Sequence, residues 1–518
     1  MSDVAPPTPP ARDDVIHAPP RADGFEQVGS GRALRADVVI VGSGPGGSAA
    51  ARALAEAGLS VVILEEGPPK SRFRPNYANT ARYHMQEAGG MTAHGDSYIP
   101  VAAGRGVGGG SLINSALCFR APEEVLDGWA KQLDDGAFTS AAMAPIYDEL
   151  AEILGIGVAR EEHAGENNRL IARGAAIVGY PGGYAPRNTP RCVGCGACNY
   201  GCPSNGKATV NLTLLPRAVA KGALIQADTK VSEVLVEGGR AVGVRGRAFH
   251  PDTGEAGGEI TVRADRVLLS AGAIGTPRLL WHSGLAAQLG PVGEGLHIHP
   301  GGAVLGLCEQ PIYLWRGATQ GSYFTIPDMP GILPHAFTAP PEATLVALGW
   351  VGPKLQEGIR LLPYLCGLIA LVSDKGFGQV RSYPDGRADI TYKYDDHDLE
   401  RTRLALVECA RVLFAGGATE VMSPIRGLGR YRNVEDLRQA LADRVIQDLA
   451  LYSSHPMSSC RMSADPETGP LRADGRMHRL EGLYVADASV FPTSLGVNPQ
   501  YTTMAMATVL ARKMVATG

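Results

Sequence analysis

The apolar positions of this chain fall in short continuous runs, and the runs are cut by glycine. Asp37-Val38-Val39-Ile40-Val41 ends in a β-branched apolar run, the pattern of a strand buried on both faces of a parallel sheet. It passes directly into Gly42-Ser43-Gly44-Pro45-Gly46-Gly47. An alanine-rich stretch, SAAARALAEAG, follows with good helix propensity and stops at Gly58. A second apolar run, Val61-Val62-Ile63-Leu64, ends on Glu65. Strand, glycine turn, helix, strand and acid in this order predict an α/β fold whose first unit binds a dinucleotide. No apolar run approaches the ~20 residues of a membrane-spanning helix. The longest, such as residues 364–372, are short and read as buried core.

Each part of the first unit has a physical task. Gly42 permits the tight turn, Gly44 lets the backbone approach a pyrophosphate, and Gly47 lets the helix pack on the strand. The helix N-terminus offers free N–H groups and the positive end of its dipole to phosphates. Glu65, eighteen residues past Gly47, is placed to accept ribose hydroxyls, which favours a free 2′-hydroxyl over NADP. The motif itself leaves FAD and NAD both open.

Composition narrows the picture further. A length of 518 residues exceeds what one hydrophobic core serves, so two domains, or two and a cap, are expected. The 66 glycines are close to double the usual share of about 7% and gather in runs, as a backbone lying against a large cofactor requires. A net charge of −4 gives no electrostatic case for nucleic acid. The first residues, MSDVAPPTPPARDDVIHAPP, lack the apolar core of a secretory signal. Their proline and alanine content predicts a disordered tail over 1–34. The expected location is cytoplasmic, and nothing in the sequence supports membrane association.

Nine cysteines in such a chain do not form a disulfide framework. Cys118, Cys308, Cys366, Cys409 and Cys460 are scattered and read as small buried hydrophobes. Cys192, Cys195, Cys198 and Cys202 fall within eleven residues, and with Pro203 they match the ligand run of bacterial ferredoxins. Gly194, Gly196 and Gly201 stand between them, where tight turns around a cluster need glycine. A [4Fe–4S] or [3Fe–4S] cluster, a zinc knot and reduced structural thiols are three competing readings.

Further motifs follow in order: Gly104-Arg105-Gly106-Val107-Gly108-Gly109-Gly110-Ser111-Leu112-Ile113-Asn114, then Val267 to Pro277 (VLLSAGAIGTP), then Val292-Gly293-Glu294-Gly295-Leu296 with His299-Pro300. His455-Pro456 with Cys460-Arg461-Met462, Asp487-Ala488-Ser489 and Gly496-Val497-Asn498-Pro499 complete the series. Together they resemble the glucose–methanol–choline (GMC) oxidoreductases from residue 35 to the end, with 305–450 matching least. In motif the chain is nearest the fatty-alcohol and sterol oxidase branch, and some flavin sugar dehydrogenases with a similar cysteine stretch carry iron–sulfur.

The resemblance implies an FAD-binding, Rossmann-like domain assembled from 35–125, 205–300 and 450–518. It implies a cap and cysteine-rich segment at 126–204, and a discontinuous substrate domain on an antiparallel sheet at 301–449. By the same resemblance Gly42, Gly44, Gly47 and Glu65 hold the ADP part of FAD. Gly108, Gly109, Ser111 and Asn114 lie along the pyrophosphate and flavin, and Val231 meets the adenine. Asp487 and Ala488 stand at the flavin end, with Arg105, Ala271, Pro499 and Gln500 among the cofactor's neighbours. Ile113 occupies the position at which some members attach flavin to histidine, so FAD is expected to be non-covalent.

Oxidising an alcohol removes a hydroxyl proton and a hydride from one carbon, which calls for a base and for a group to hold the alkoxide. The resemblance assigns the base to His455 and the partner to Asn498, with His297 and His299 in a structural turn. A helix beginning after Pro499 would direct its positive end toward the flavin. The abundance of Leu, Ile, Val, Pro and aromatics over 301–372 points to an apolar or long-chain alcohol. The electron acceptor is O2, a quinone or a redox protein. A sugar or polyol dehydrogenase working through an iron–sulfur cluster, and a redox-sensing or electron-transfer flavoprotein, stay open as alternatives, and lyase chemistry is not excluded by motif.

Overall fold

The structure, a computed structural model, describes residues 15–69, 76–348, 350–425 and 429–516. The first apolar run forms the end of a strand, Gly31–Val41, which pairs in parallel with Val61–Leu64 on one side and Ala256–Leu269 on the other. Leu224–Gln226 extends the sheet beyond Val61–Leu64, and Leu483–Val485 extends it beyond Ala256–Leu269, both in parallel. These five strands come from three separate stretches of chain. Their inward positions are apolar and fully buried, Val38, Val39 and Ile40 being 0% exposed. Thr229–Glu237 and Arg240–Phe249 add an antiparallel meander against the first half of Ala256–Leu269. The glycine helix Pro45–Glu56 and the final helix Gln500–Ala516 pack on this sheet, their alanines allowing close approach to one core.

The carboxyl ends of the parallel strands converge. Val41 leads to Gly42, Leu64 to Glu65, Leu269 to Ser270 and Ala271, and Val485 to Ala486 and Asp487. This is the edge at which open α/β sheets bind ligands.

Opposite that edge lies a second, eight-stranded sheet, antiparallel throughout. Its centre is Gly301–Cys308 beside Leu365–Val372, flanked by Ile332–Ala336 and Ala418–Met422. One face packs on the helices Asp396–Gly416 and Glu166–Val178 in a second core. The alternate positions Gly301, Ala303 and Leu305 turn the other way, toward the carboxyl ends of the first sheet, as strand periodicity demands. The fold is therefore mixed α/β with an FAD-binding-type domain and an antiparallel substrate-side sheet.

Two expectations on organisation differ from the structure. Residues 1–14 lie outside the described residues, but 15–34 are packed rather than a loose tail. Val15 is buried, and the N–H groups of His17 and Asp23 donate to Leu212 O and Ile225 O at 2.9 Å. Gly31–Ala36, which carries two arginines and no continuous apolar run, becomes strand because it completes a backbone ladder with Glu259–Ala264. Nor does 126–204 form a separate cap among the described residues. Leu126, Trp129 and Tyr147 join the core of the parallel sheet, while Leu170 and Ile171 join that of the antiparallel sheet.

Candidate active site

Between the two sheets lies a cavity of about 850 Å³. Gly42, Gly44, Pro45 and Gly46 line one end, Val231, Ala271, Asp487 and Ala488 the flank, and His455, Asn498, Pro499 and Gln500 the far wall. At Gly42 φ is +100°, and a Cβ would stand 2.3 Å from Ser270 O, so the tight turn admits only glycine. Gly44 is different. Its φ of −67° suits any residue, and an added Cβ would meet nothing nearer than Gly109 Cα at 3.8 Å among the described residues. The missing side chain leaves room on the cavity side, beside the N-terminus of the helix Pro45–Glu56, which is the space a pyrophosphate needs. Gly109 touches the same spot, since its own Cβ would lie 2.6 Å from Gly44 Cα. The two glycine loops therefore meet and form one cradle, and the residues present fit FAD.

Four sequence-nominated positions stand behind the lining rather than in it. Gly47 packs the helix on the turn, its Cβ position 2.0 Å from Gly42 O. Arg105 donates from Nη2 to Glu66 O at 3.1 Å. Gly108 N donates to Ser43 Oγ at 3.1 Å, and Ser111 Oγ donates to Gly108 O at 2.7 Å while accepting from Val210 N. These groups hold the loop because their hydrogen bonds are spent within it.

Glu65 lines the cavity, but its carboxylate also ties the loops together. Oε2 accepts from Ser43 N and Oγ, and Oε1 accepts from Gly67 N and Gly106 N at 3.0 Å. Burial pushes its pKa up, against the pull of these donors. Asp487 is similar, with burial raising its pKa while Gly272 N, Thr276 Oγ1 and Ser489 N donate to it. Asn114 donates to Gln500 Oε1 at 2.6 Å, fastening the second loop to the start of the final helix.

The far wall carries the acid–base groups. Asn498 Nδ2 lies 3.2 Å from His455 Nε2, bringing the two nominated residues together. Asn498 Oδ1 lies 3.2 Å from Nε2 of a third residue, His335, on the strand Ile332–Ala336. Sequence reading missed His335; its strand carries no motif, and its partner lies 163 positions away. His299 stands edge-on to His455 with ring centroids 5.6 Å apart, and its Nε2 accepts from Gly496 N at 3.0 Å. Burial at this wall, reinforced by His299 and His335, holds the His455 pKa well below the usual imidazole value. Burial likewise lowers His299 and His335 to about 4. Asp374 anchors the neighbouring turn, accepting from Ile298 N, Tyr392 OH and Ser494 Oγ. Burial pushes its carboxyl up, but His297 and His299 outweigh that and leave it far below the ordinary range.

Beyond His455 and Asn498 the wall becomes apolar, built from Ala303, Leu305, Phe337, Ile369, Leu371 and Met422. The four clustered cysteines are elsewhere, around a small separate pocket shared with Lys207.

Comparison with known proteins agrees with this architecture. The GMC oxidoreductase family matches over residues 81–301 and 373–507, and an FAD binding domain over 37–103. An uncharacterised GMC-type oxidoreductase of Mycobacterium tuberculosis is 36% identical over 487 residues, spanning 93% of this chain and 76% of that protein. A long-chain-alcohol oxidase of Arabidopsis thaliana is 30% identical over 527 residues, spanning 93% of this chain and 67% of that protein. A formate oxidase structure shares the fold with a TM-score of 0.70 at 16% identity, over 94% of this chain and 99% of that one. Pyridoxine 4-oxidase from Mesorbium loti does so with a TM-score of 0.68 at 19% identity, over 92% and 98%. Shared sequence, shared fold and a cradle shaped for a dinucleotide agree: the chain belongs to the GMC oxidoreductases and is an FAD-dependent enzyme.

Proposed function

We propose that this enzyme oxidises the CH–OH group of an apolar, long-chain alcohol, with His455 as the base. The observation that carries the reading is the hydrogen-bonded row His335–Asn498–His455 at the point where the cavity wall turns from polar to apolar. With Asn498 Nδ2 as donor, His455 Nε2 bears the lone pair. A substrate hydroxyl entering between these atoms gives its proton to Nε2 and accepts a hydrogen bond from Nδ2 as negative charge grows on oxygen. The depressed pKa of His455 keeps the imidazole neutral at neutral pH and ready to take that proton. FAD, when bound, supplies the acceptor for the hydride. Ile113 offers no nucleophile for a covalent link, so the cofactor is held by the two glycine loops, Val231 and Asp487. The similarity to a long-chain-alcohol oxidase and the apolar strand faces of Ala303, Leu305, Ile369 and Leu371 support an alkyl substrate.

Anaerobic bleaching of the flavin by a series of straight-chain primary alcohols tests the reading. The second-order rate is expected to rise by roughly fourfold for each methylene buried, since each contributes about 0.8 kcal/mol. Acid denaturation of the same sample is expected to release the flavin into the supernatant. A sugar or polyol that bleaches the flavin faster than decanol would overturn the substrate assignment.

A further inference from the structure

The long helix Asp396–Gly416 packs on the antiparallel sheet, and its first turn carries chemistry that the cavity does not use. Asp395 is its N-cap. Asp395 Oδ1 accepts from His397 N at 2.8 Å, and Oδ2 has no hydrogen-bond partner among the described residues. Asp398 is buried, its side chain 1% exposed. Its Oδ2 accepts from Lys375 N at 2.6 Å and from Gly376 N at 2.7 Å. Its Oδ1 is buried without any hydrogen bond.

A buried carboxylate oxygen left without a donor is costly, more so than a neutral group in the same position. The near neighbours do not relieve it. His397 Nδ1 stands 3.6 Å from Asp398 Oδ1, too far for a hydrogen bond. Arg401, on the next turn of the helix, donates from Nη2 to Pro330 O instead. The start of the helix also gathers three carboxylates, Asp395, Asp396 and Asp398. Their charge exceeds what the positive end of a helix dipole, equivalent to about half a unit charge, can offset. The spot lacks a cation set between Asp398 Oδ1 and His397.

The spacing suits a metal ion. One donor atom from each of Asp395, His397 and Asp398 lies within 4.8 Å of one from each of the other two, and among the described residues this is the group with that spacing. Two donors bound to one ion at about 2.0–2.2 Å sit roughly 3–4 Å apart. The 3.6 Å between His397 Nδ1 and Asp398 Oδ1 is therefore too long for a hydrogen bond and right for two ligands of one ion. Two carboxylates and an imidazole suit a divalent ion of the zinc or manganese kind. Asp395 and His397 are exposed, so an ion has an open path in and room to keep water on its remaining positions.

We propose that Asp395, His397 and Asp398 bind one divalent metal ion, which clamps the start of this helix to the loop 373–376. The position gives the ion a task. Lys375 and Gly376, held by Asp398 Oδ2, directly follow Asp374. The Asp374 carboxylate accepts from Ile298 N, Tyr392 OH and Ser494 Oγ. Those bonds fix the turn that leads to His299 and the loop that leads to Asn498. An ion on Asp398 braces the polar wall of the cavity from behind without touching it. It takes no part in the chemistry, and the site stands whether or not the substrate is an alcohol.

The competing reading is a plain ion pair, with a protonated His397 as the partner of Asp398. The test uses the full chain with FAD bound, stripped with a chelator, dialysed and titrated with manganese(II). The electron paramagnetic resonance signal of free manganese reports what stays unbound. Manganese is the probe because thiolates, such as the clustered cysteines could offer, select softer ions. Uptake of about one ion per chain is expected, together with a rise in melting temperature. His397→Ala and Asp395→Asn, both at exposed positions, are each expected to weaken uptake by at least about tenfold and to remove the melting rise, with FAD content unchanged. Wild type that takes up no manganese at millimolar concentration, or uptake equal in wild type and both variants, would overturn the proposal. So would a stability loss in His397→Ala without manganese uptake by wild type, which would identify the ion pair instead.

Discussion

A histidine becomes a base only if something keeps it neutral and aimed. For the base proposed here, His455, both conditions would come from neighbours: burial beside His299 and His335 lowers its pKa, and Asn498 Nδ2 lies 3.2 Å from Nε2. His455→Ala is therefore expected to slow flavin reduction by about 10² to 10⁴, normalised to bound FAD, with substrate affinity little changed. Stopped-flow bleaching checks this; a loss smaller than about fivefold would mean that the proton leaves by another route. The pH profile follows with its sign. A depressed pKa means the competent neutral form persists below the ordinary imidazole value of about 6.5. The rate is expected to be flat from neutrality through that value and to fall only at lower pH. An acid limb centred near 6.5 or above would contradict the assignment. In the proposed mechanism His335 would act one step removed, donating from Nε2 to Asn498 Oδ1 at 3.2 Å and so holding Nδ2 toward the substrate. His335→Phe removes a hydrogen bond of about 0.5–1.5 kcal/mol, a two- to tenfold loss expected in kcat rather than KM. His335→Gln keeps a donor and is expected to recover part of it. Equal losses in the two variants would reduce His335 to a packing residue.

At the scale of elements, the two glycine loops separate binding from folding. Gly44 has ordinary backbone angles and an open cavity side, so Gly44→Val is expected to abolish FAD binding while the apo-protein keeps its secondary structure and melting behaviour. Gly42→Val would drive a Cβ into Ser270 O from a left-handed backbone, and is expected to cost the fold itself. Flavin content and circular dichroism on both variants make the comparison; an apo Gly44→Val protein that fails to fold would mean the cradle is structural. The strand–turn–helix unit was readable because its signal is contiguous: apolar run, glycine turn and acid lie within thirty residues. His455 and Asn498 also stand in motifs, and the structure brings the two side chains within 3.2 Å of each other. His335 was not readable, since Ile332–Ala336 is a short strand containing Pro334 and its meaning appears only when it pairs with Leu368–Val372 opposite the final loops. The stretch 15–34 misled for a related reason. Its composition is that of a tail, but backbone hydrogen bonds to partners 195 or more positions away hold it regardless of side chain. Glu65 was found by motif, yet its four bonds to Ser43, Gly67 and Gly106 depend on loop closure that no local pattern encodes.

For the whole molecule, the seam between the two sheets is where stability meets pH. His299 and His335 are buried there, one on each side of Asn498 and His455, and both are held at about 4. In the unfolded chain each takes up a proton near 6.5. Because the folded pKa is the lower one, the unfolded state binds more protons between about 4 and 6.5, and stability rises with pH across that window. The contribution is fully present above 6.5 and is lost as pH falls toward 4, on the order of 3 kcal/mol for each histidine. Glu65 and Asp487 work the other way: their raised values make folding easier as they take up protons at the acid end. The clean measurement is thus a difference. Urea midpoints of wild type and His335→Gln are compared at pH 7.5, 6 and 5, since the glutamine removes one titrating group and keeps the hydrogen bond. Wild type is expected to lose stability faster than the variant as pH falls, the gap closing by up to about 1.4 kcal/mol per pH unit below 6.5. Parallel curves for the two proteins would show that His335 takes up its proton alike in the folded and unfolded chain, contrary to its burial in the structure.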